Sequence, residues 1–220
     1  MALELMKEEK HLVGFSAGDL TSSGTPEEIV NSAVESMGGL TTVVNAAGVL
    51  RGGAIGTVDL ENFQFNFAAN VQTTFEVMQH AIPHLKKQSE QSPSIINISS
   101  VNGKQSFAGC ATYCASKAAV DQLSRCASLD LAPFNIRVNV VNPGVVETPL
   151  QRRGGMDDAA YSAFLDNSIN KTHPLGAALN RVAQPEEVGE LISFLVSKNS
   201  KFITGECIAI DGGRQNLGAR

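Results

Sequence analysis

What constrains this chain most is an alternation of two hydrophobic periods. Short apolar runs rich in β-branched residues stand at positions 12–15, 42–45, 95–98, 136–141 and 208–210, and helix-patterned stretches separate them. Thr25-Pro26-Glu27-Glu28 opens the first helix, with threonine as cap, proline at the first position and glutamate three after the cap. Ile29, Ala33 and Met37 continue its inner face, and Gly38-Gly39 ends it. Phe67, Val71, Phe75, Met78, Ile82 and Leu85 make the stripe of a second helix. A third spans about 112–132, with Val120, Leu123, Ala127 and Leu131 on one side and Pro133 as its stop. Gln184-Pro185-Glu186-Glu187 opens a last one, with Val188, Leu191, Ile192 and Leu195 facing inward. Short strands alternating with amphipathic helices predict an α/β fold, a parallel sheet with helices on both faces. Ligands of such sheets gather at the carboxyl ends of the strands. Residues 45–48, 99–100 and 142–148 each follow a strand directly and are expected to line one crevice.

Length and composition narrow the function. The 220 residues suit a single domain, and 43% of them are hydrophobic, enough for a sizeable core. No apolar run approaches the roughly eighteen residues that span a bilayer. The first ten residues carry Glu4, Lys7, Glu8, Glu9 and Lys10, unlike a secretory leader. A net charge of −5 without a long basic run argues against nucleic acid or anionic membrane as main partners. Cys110, Cys114, Cys126 and Cys207 form no Cys-x-x-Cys pair and read as reduced thiols, which points to a cytoplasmic location. His80 and His84 stand four apart, but Pro83 lies between them and no third ligand joins them, so no metal site is expected.

The chemistry concentrates in three residues. Tyr113 and Lys117 stand i, i+4 near the start of a helix and share a face, and Ser100 lies thirteen positions before the tyrosine. A lysine ammonium beside a phenol favours the phenolate, so the Tyr113 pKa is expected to be lowered. Such a pair suits proton transfer with a carbonyl or alcohol oxygen. A serine hydroxyl on a neighbouring strand end can bond the same oxygen.

Taken together these residues resemble the short-chain dehydrogenase/reductase family over nearly the whole chain, from about residue 12 to 213. Asn45-Ala46-Ala47-Gly48 resembles the family's Asn-Asn-Ala-Gly motif, and Asn70 in Ala68-Ala69-Asn70-Val71 matches its helix asparagine. Ile98-Ser99-Ser100 matches the serine motif, and residues 143–148 resemble the loop that meets the nicotinamide. Asp19-Leu20-Thr21 is similar to the motif whose aspartate contacts the adenine, and Thr204-Gly205 and Asp211-Gly212-Gly213 fit the C-terminal strand. The resemblance implies a Rossmann-like doubly wound sheet and an oxidoreductase that reduces carbonyls or oxidises alcohols with NAD or NADP. In it Tyr113 is the general acid/base, and Lys117 lowers its pKa and binds the nicotinamide ribose. Ser100 orients the substrate oxygen, and Asn70 completes a proton relay. Asp19, Leu20, Asn45, Ala46, Gly48, Pro143, Gly144, Val146 and Thr148, with Tyr113 and Lys117, are the implied cofactor contacts. Residues 150–182, polar and without a strong period, correspond to a mobile substrate loop, in which Met156, Tyr161, Phe164 and Leu165 either face an apolar substrate or pack as ordinary helix. Ser106, Phe107 and Cys110 are further candidates for the pocket wall. Homodimers or homotetramers, assembled through the helices near 67 and 112, are the implied partners.

One family feature has no counterpart. The glycine-rich turn Thr-Gly-x-x-x-Gly-x-Gly, which holds the cofactor pyrophosphate, does not occur; residues 13–20 carry two glycines at the right interval, with Leu20 where the third would stand. The chain is therefore expected to be an N-terminally truncated member, a partial domain over residues 1–220 lacking the sheet's first two strands, with cofactor binding weakened or lost. The run at 12–15 is expected to shift across and pair with residues 42–45, covering an otherwise open strand edge. The alternative function is a catalytically impaired chain that acts by associating with intact subunits.

Overall fold

The computed structural model describes residues 14–217. Among the described residues four strands form one sheet: β1 (Thr42–Asn45), β2 (Ser94–Ile98), β3 (Arg137–Pro143) and β4 (Cys207–Ile210). Their spatial order equals their chain order and every pairing is parallel. Parallel neighbours need crossovers, and helices supply them. Helix α1 (Thr25–Met37) precedes β1. Between β1 and β2 run α2 (Leu60–Phe67), a π turn (Ala68–Gln72) and α3 (Thr73–Lys86). Helix α4 (Ala111–Leu131) joins β2 to β3. The last crossover holds α5 (Leu150–Arg153), α6 (Asp158–Asn167), a second π turn (Ser168–Thr172), α7 (Pro174–Leu179) and α8 (Pro185–Val196).

The sheet is covered on both faces, as a doubly wound α/β fold requires. Ile95 and Val138 point to one face, where Val30 of α1, Met78, Ala81 and Leu85 of α3, and Leu131 of α4 bury them. Ile96 and Val141 point to the other, against Leu195, Val188, Leu191 and Ile192 of α8. Leu85 and Leu195 are fully buried, and each such side chain contributes about 2 kcal/mol relative to exposure.

Several elements depart from expectation. Thr25 is the first residue of α1 rather than its cap; Gly24 caps it in a left-handed conformation (φ 86°) without a side-chain bond. The end of α1 at Gly38 agrees, where φ is 74° and the amide bonds the Val34 carbonyl. Leu12 and Val13 lie outside the described residues. Gly14 and Phe15 are not in a strand, and Phe15 is 87% exposed. Among the described residues β1 pairs with β2 alone, and no described strand covers its other edge. Val43 packs into the core beneath α1 and α3, whereas Val44, facing the opposite way, is 42% exposed.

The apolar stripe of the second helix slips at its midpoint. Met78 and Leu85 are buried as expected, but Phe75 is exposed, and Asn62, Asn66, Asn70, Thr73 and Thr74 take the inner face before them. The π turn inserts its wider winding at residues 68–72 and so rotates the face between the two halves. The region 150–182 is mostly helical. Its helices are only 4, 10 and 6 residues long, too short to show a period, and α6 is started by the Asp157 carboxylate, which accepts the Ala160 N–H at 2.8 Å.

Candidate active site

The carboxyl ends of β1, β2 and β3 open into a cavity of about 530 Å³. Ala46 and Gly48 come from the end of β1, Ser100 from the end of β2, and Pro143, Gly144, Val146 and Thr148 from the end of β3. Tyr113 and Lys117, from the first two turns of α4, complete that wall. The three sequence-identified chemical groups thus share one cavity.

Tyr113 is 4% exposed, and burial pushes its phenol up to about 12, against an opposing hydrogen bond from Ser100. This reverses the expected direction. Lys117 Nζ lies 5.9 Å from the Tyr113 ring centroid and donates to the Ile98 carbonyl at 3.0 Å. Burial also pushes Lys117 down to about 8, with Asp121 opposing. Desolvation therefore outweighs the ionic attraction at both groups. Ser100, two residues past the end of β2, caps a short 3₁₀ turn, its Oγ accepting the Asn102 N–H at 3.1 Å.

Asn70 sits in the π turn behind this wall and does not line the cavity. Its Oδ1 accepts the Val49 N–H at 2.8 Å; its Nδ2 donates to the Val49 carbonyl at 3.1 Å and to Ser116 Oγ at 3.0 Å. A Cβ on Gly48 would stand 3.2 Å from both Asn70 Oδ1 and Lys117 Nζ, so the glycine lets the chain pass closely over both.

Other expected residues lie elsewhere. Asp19 and Leu20 are off the cavity, and the Asp19 carboxylate accepts the Thr21 N–H at 2.9 Å and its hydroxyl at 2.7 Å. Asn45 turns into the sheet and donates to Asn97 Oδ1 at 2.8 Å. Ser106, Phe107 and Cys110 do not line the cavity, nor do Met156, Tyr161, Phe164 and Leu165. Tyr161 is held between Phe164 (6.5 Å between centroids) and the Arg152 guanidinium at 4.4 Å. Leu150, Gln151, Arg153 and Gly154 reach the cavity instead.

Two supporting groups escaped the sequence reading, and Asn142, expected to line the crevice, is fully buried off the cavity. Asn142 Nδ2 donates to the Ser100 carbonyl at 2.9 Å and to Asp121 Oδ1 at 3.0 Å, tying the end of β3 to β2 and α4. Thr112 Oγ1 donates to Asn62 Oδ1 at 2.7 Å and accepts from Asn66 Nδ2 at 3.0 Å, tying α2 to α4. His173 Nε2 accepts the Val145 N–H at 3.0 Å, while Nδ1 lies 2.9 Å from the Ser168 carbonyl. A carbonyl only accepts, so the proton is on Nδ1, and burial pushes the ring below its ordinary pKa. The i, i+4 spacing of Asn62, Asn66 and Asn70 was the one signal available in the sequence.

Several known proteins resemble this chain along most of its length. The family described as enoyl-(acyl carrier protein) reductase matches residues 2–215. Trans-4-hydroxycyclohexanecarboxylate dehydrogenase of Sinomonas cyclohexanicum is 36% identical over 195 residues, 89% of this chain and 68% of that protein. The 3-oxoacyl-[acyl-carrier-protein] reductase FabG of Thermotoga maritima is 33% identical over 195 residues, 89% of this chain and 74% of its own length. Among solved structures, ElxO with NADP bound superimposes with a TM-score of 0.81 at 29% identity, covering 93% of this chain and 79% of that one.

Proposed function

From the premise that this chain belongs to the short-chain dehydrogenase/reductase family of oxidoreductases, we propose that it interconverts a small-molecule alcohol and its carbonyl compound with NAD or NADP, using Tyr113, Ser100, Lys117 and Asn70. The observation that carries this reading is the convergence of Ser100, Tyr113 and Lys117 on one cavity wall at the carboxyl ends of the strands. A bound nicotinamide would give a hydride to the carbonyl carbon, or take one from the alcohol carbon. In reduction Tyr113 Oη gives its proton to the substrate oxygen, and in oxidation it takes that proton back. Burial favours the neutral phenol, which is the form needed to protonate a carbonyl. The Ser100 hydroxyl bonds the same oxygen and steadies its developing charge. Lys117 Nζ, beside Gly48, is the group for the nicotinamide ribose, and Asn70 positions the loop that brings Gly48 there.

The nicotinamide end fits the chain. Ala46, Gly48, Pro143, Gly144, Val146 and Thr148 offer small or apolar walls at the strand ends beside Lys117. The pyrophosphate end fits less well: the sequence has no glycine-rich turn, and Asp19 and Leu20 stand off the cavity. Weakened cofactor affinity follows from this reading. The test is purified chain with NADH or NADPH and a ketone panel, followed by the absorbance of the reduced nicotinamide. Turnover that Tyr113→Phe abolishes supports the proposal; no turnover with either cofactor overturns it.

The weak pyrophosphate end favours a second reading, a catalytically impaired chain that associates with intact subunits. Phe63 and Phe75 of α2 and α3, and Leu129 of α4, present exposed apolar side chains for such assembly, or for a homodimer or homotetramer. Sedimentation of the chain, alone and mixed with a full-length homologue, tests both; a monomer that ignores the homologue refutes them.

A further inference from the structure

Beside the proposed chemistry, the same cavity carries two guanidinium side chains that proton transfer does not use. Arg51 follows the Asn45–Gly48 run, and Arg153 ends α5; both line the cavity with Leu50, Phe65, Leu150 and Gln151. The two segments meet: a Cβ on Gly154 would stand 2.7 Å from the Leu50 carbonyl, so Arg51 and Arg153 leave the backbone on either side of one close contact. We propose that Arg51 and Arg153 form an anion subsite that selects substrates bearing a carboxylate on a compact apolar body.

The subsite is built rather than incidental. The fully buried Asn66 clamps the Arg51 backbone, accepting its N–H at 3.2 Å and donating to its carbonyl at 2.9 Å. The guanidinium carbon lies 3.8 Å from the Phe65 ring centroid, which fixes the plane of the fork. Its carboxylate contact, Glu61 at 3.4 Å, is with a side chain 82% exposed. An exposed pair of that length is worth little and exchanges readily for a ligand's carboxylate. Arg153 has no carboxylate partner among the described residues, whereas its neighbour Arg152 pairs with Asp158 at 3.1 Å. Gln151 Oε1, also at the cavity, is buried without a hydrogen-bond partner and can accept from a ligand hydroxyl. Leu50, Phe65 and Leu150 supply apolar wall in the same cavity. Arginine is suited to this task because its planar fork matches a carboxylate in two bonds.

This inference rests on the proposed reaction for its orientation but is tested by binding. The probes are 4-oxocyclohexanecarboxylate and its neutral analogue 4-methylcyclohexanone, titrated calorimetrically into the full chain, wild type and variants. The wild type is expected to prefer the carboxylate, and that preference is expected to weaken in high salt. Arg51→Gln and Arg153→Gln should each cut the preference about tenfold, whereas Arg152→Gln should leave it intact. The unmodified protein's salt dependence keeps the test informative if a variant fails to fold. Equal affinity for the two probes, or a preference that survives both substitutions, overturns the subsite. A carboxylate preference without turnover of any ketone would remove the hydride-transfer reading alone. Turnover of neutral ketones with no preference would remove the subsite alone.

Discussion

Lys117→Met should make the protein more stable at neutral pH while removing the group proposed to bind the cofactor ribose. Burial moves the Lys117 pKa from 10.5 to about 8. The folded ammonium is therefore about 3 kcal/mol less favourable than the same group in the unfolded chain. Methionine fills similar volume without charge. It forfeits the bond to the Ile98 carbonyl at 3.0 Å, which costs about 1.5 kcal/mol. The net expectation at neutral pH is a gain of about 1–2 kcal/mol. The pH dependence is the sharper signature. Below about 8 both states hold the proton and the penalty stands in full. Between about 8 and 10.5 only the unfolded chain holds it, so wild-type stability rises with pH relative to the variant. That rise is at most about 1.4 kcal/mol per pH unit. Above 10.5 the penalty is gone and only the lost hydrogen bond remains. Urea denaturation of both proteins across this range measures the difference. A difference that does not change with pH refutes the desolvation argument, whatever its size.

Three further outcomes follow from the buried groups. Tyr113, raised from 10.0 to about 12, stabilises the fold through its neutral form, so wild-type stability should fall relative to Tyr113→Phe as pH rises from 10 to about 12; equal slopes in chemical denaturation would contradict the burial. His173→Phe leaves the buried Val145 N–H without its acceptor, at a cost of about 1–3 kcal/mol. Because burial depresses the His173 pKa, wild-type stability should also decline as pH falls below 6.5, and thermal melts of the variant should lack that limb. Asn66→Leu keeps the volume but strips the Arg51 N–H and carbonyl and Thr112 Oγ1 of a partner; about 3 kcal/mol should be lost, read by denaturant midpoint.

Strand positions were legible because parallel strands packed under helices read as short runs rich in β-branched residues. Residues 42–45 match β1 to the residue, and the other three observed strands shift by one or two positions at their ends. The helix stripe at 67–85 was legible only in its second half. Hydrophobic periodicity follows apolar residues, and the first half buries asparagines and threonines instead. Ser100, Tyr113 and Lys117 were found by motif, and all three line one cavity. The direction of the Tyr113 pKa was not, since it depends on how much water the whole fold removes from the phenol. Nor was the replacement of Met156, Tyr161, Phe164 and Leu165 by Leu150, Gln151, Arg153 and Gly154 at the cavity, because short helices leave too few turns for a period to declare which face points inward.

The buried asparagines answer a problem set by the loop after β1. Beyond Asn45 the chain leaves the sheet and loses its ladder partner, yet it must run close over Lys117 and carry Arg51 to the cavity. Its backbone polar groups need partners. Asn70 takes both the N–H and the carbonyl of Val49, Asn66 takes both those of Arg51, and Asn62 Nδ2 donates to the Gly52 carbonyl at 2.8 Å. Val49, Arg51 and Gly52 thus pair with side chains spaced one helical turn apart, so the helix face stands in for a neighbouring strand. The π turn makes this compatible with the core, because it rotates Asn62, Asn66 and Asn70 toward the loop and α4 while Met78, Ala81 and Leu85 still reach the sheet. An apolar face here would pack as well but would leave those amides and carbonyls unpaired. Register in this loop is therefore set by hydrogen bonds rather than by hydrophobic contact. The spacing that places Gly48 beside Lys117 is the same spacing that brings Arg51 to the cavity.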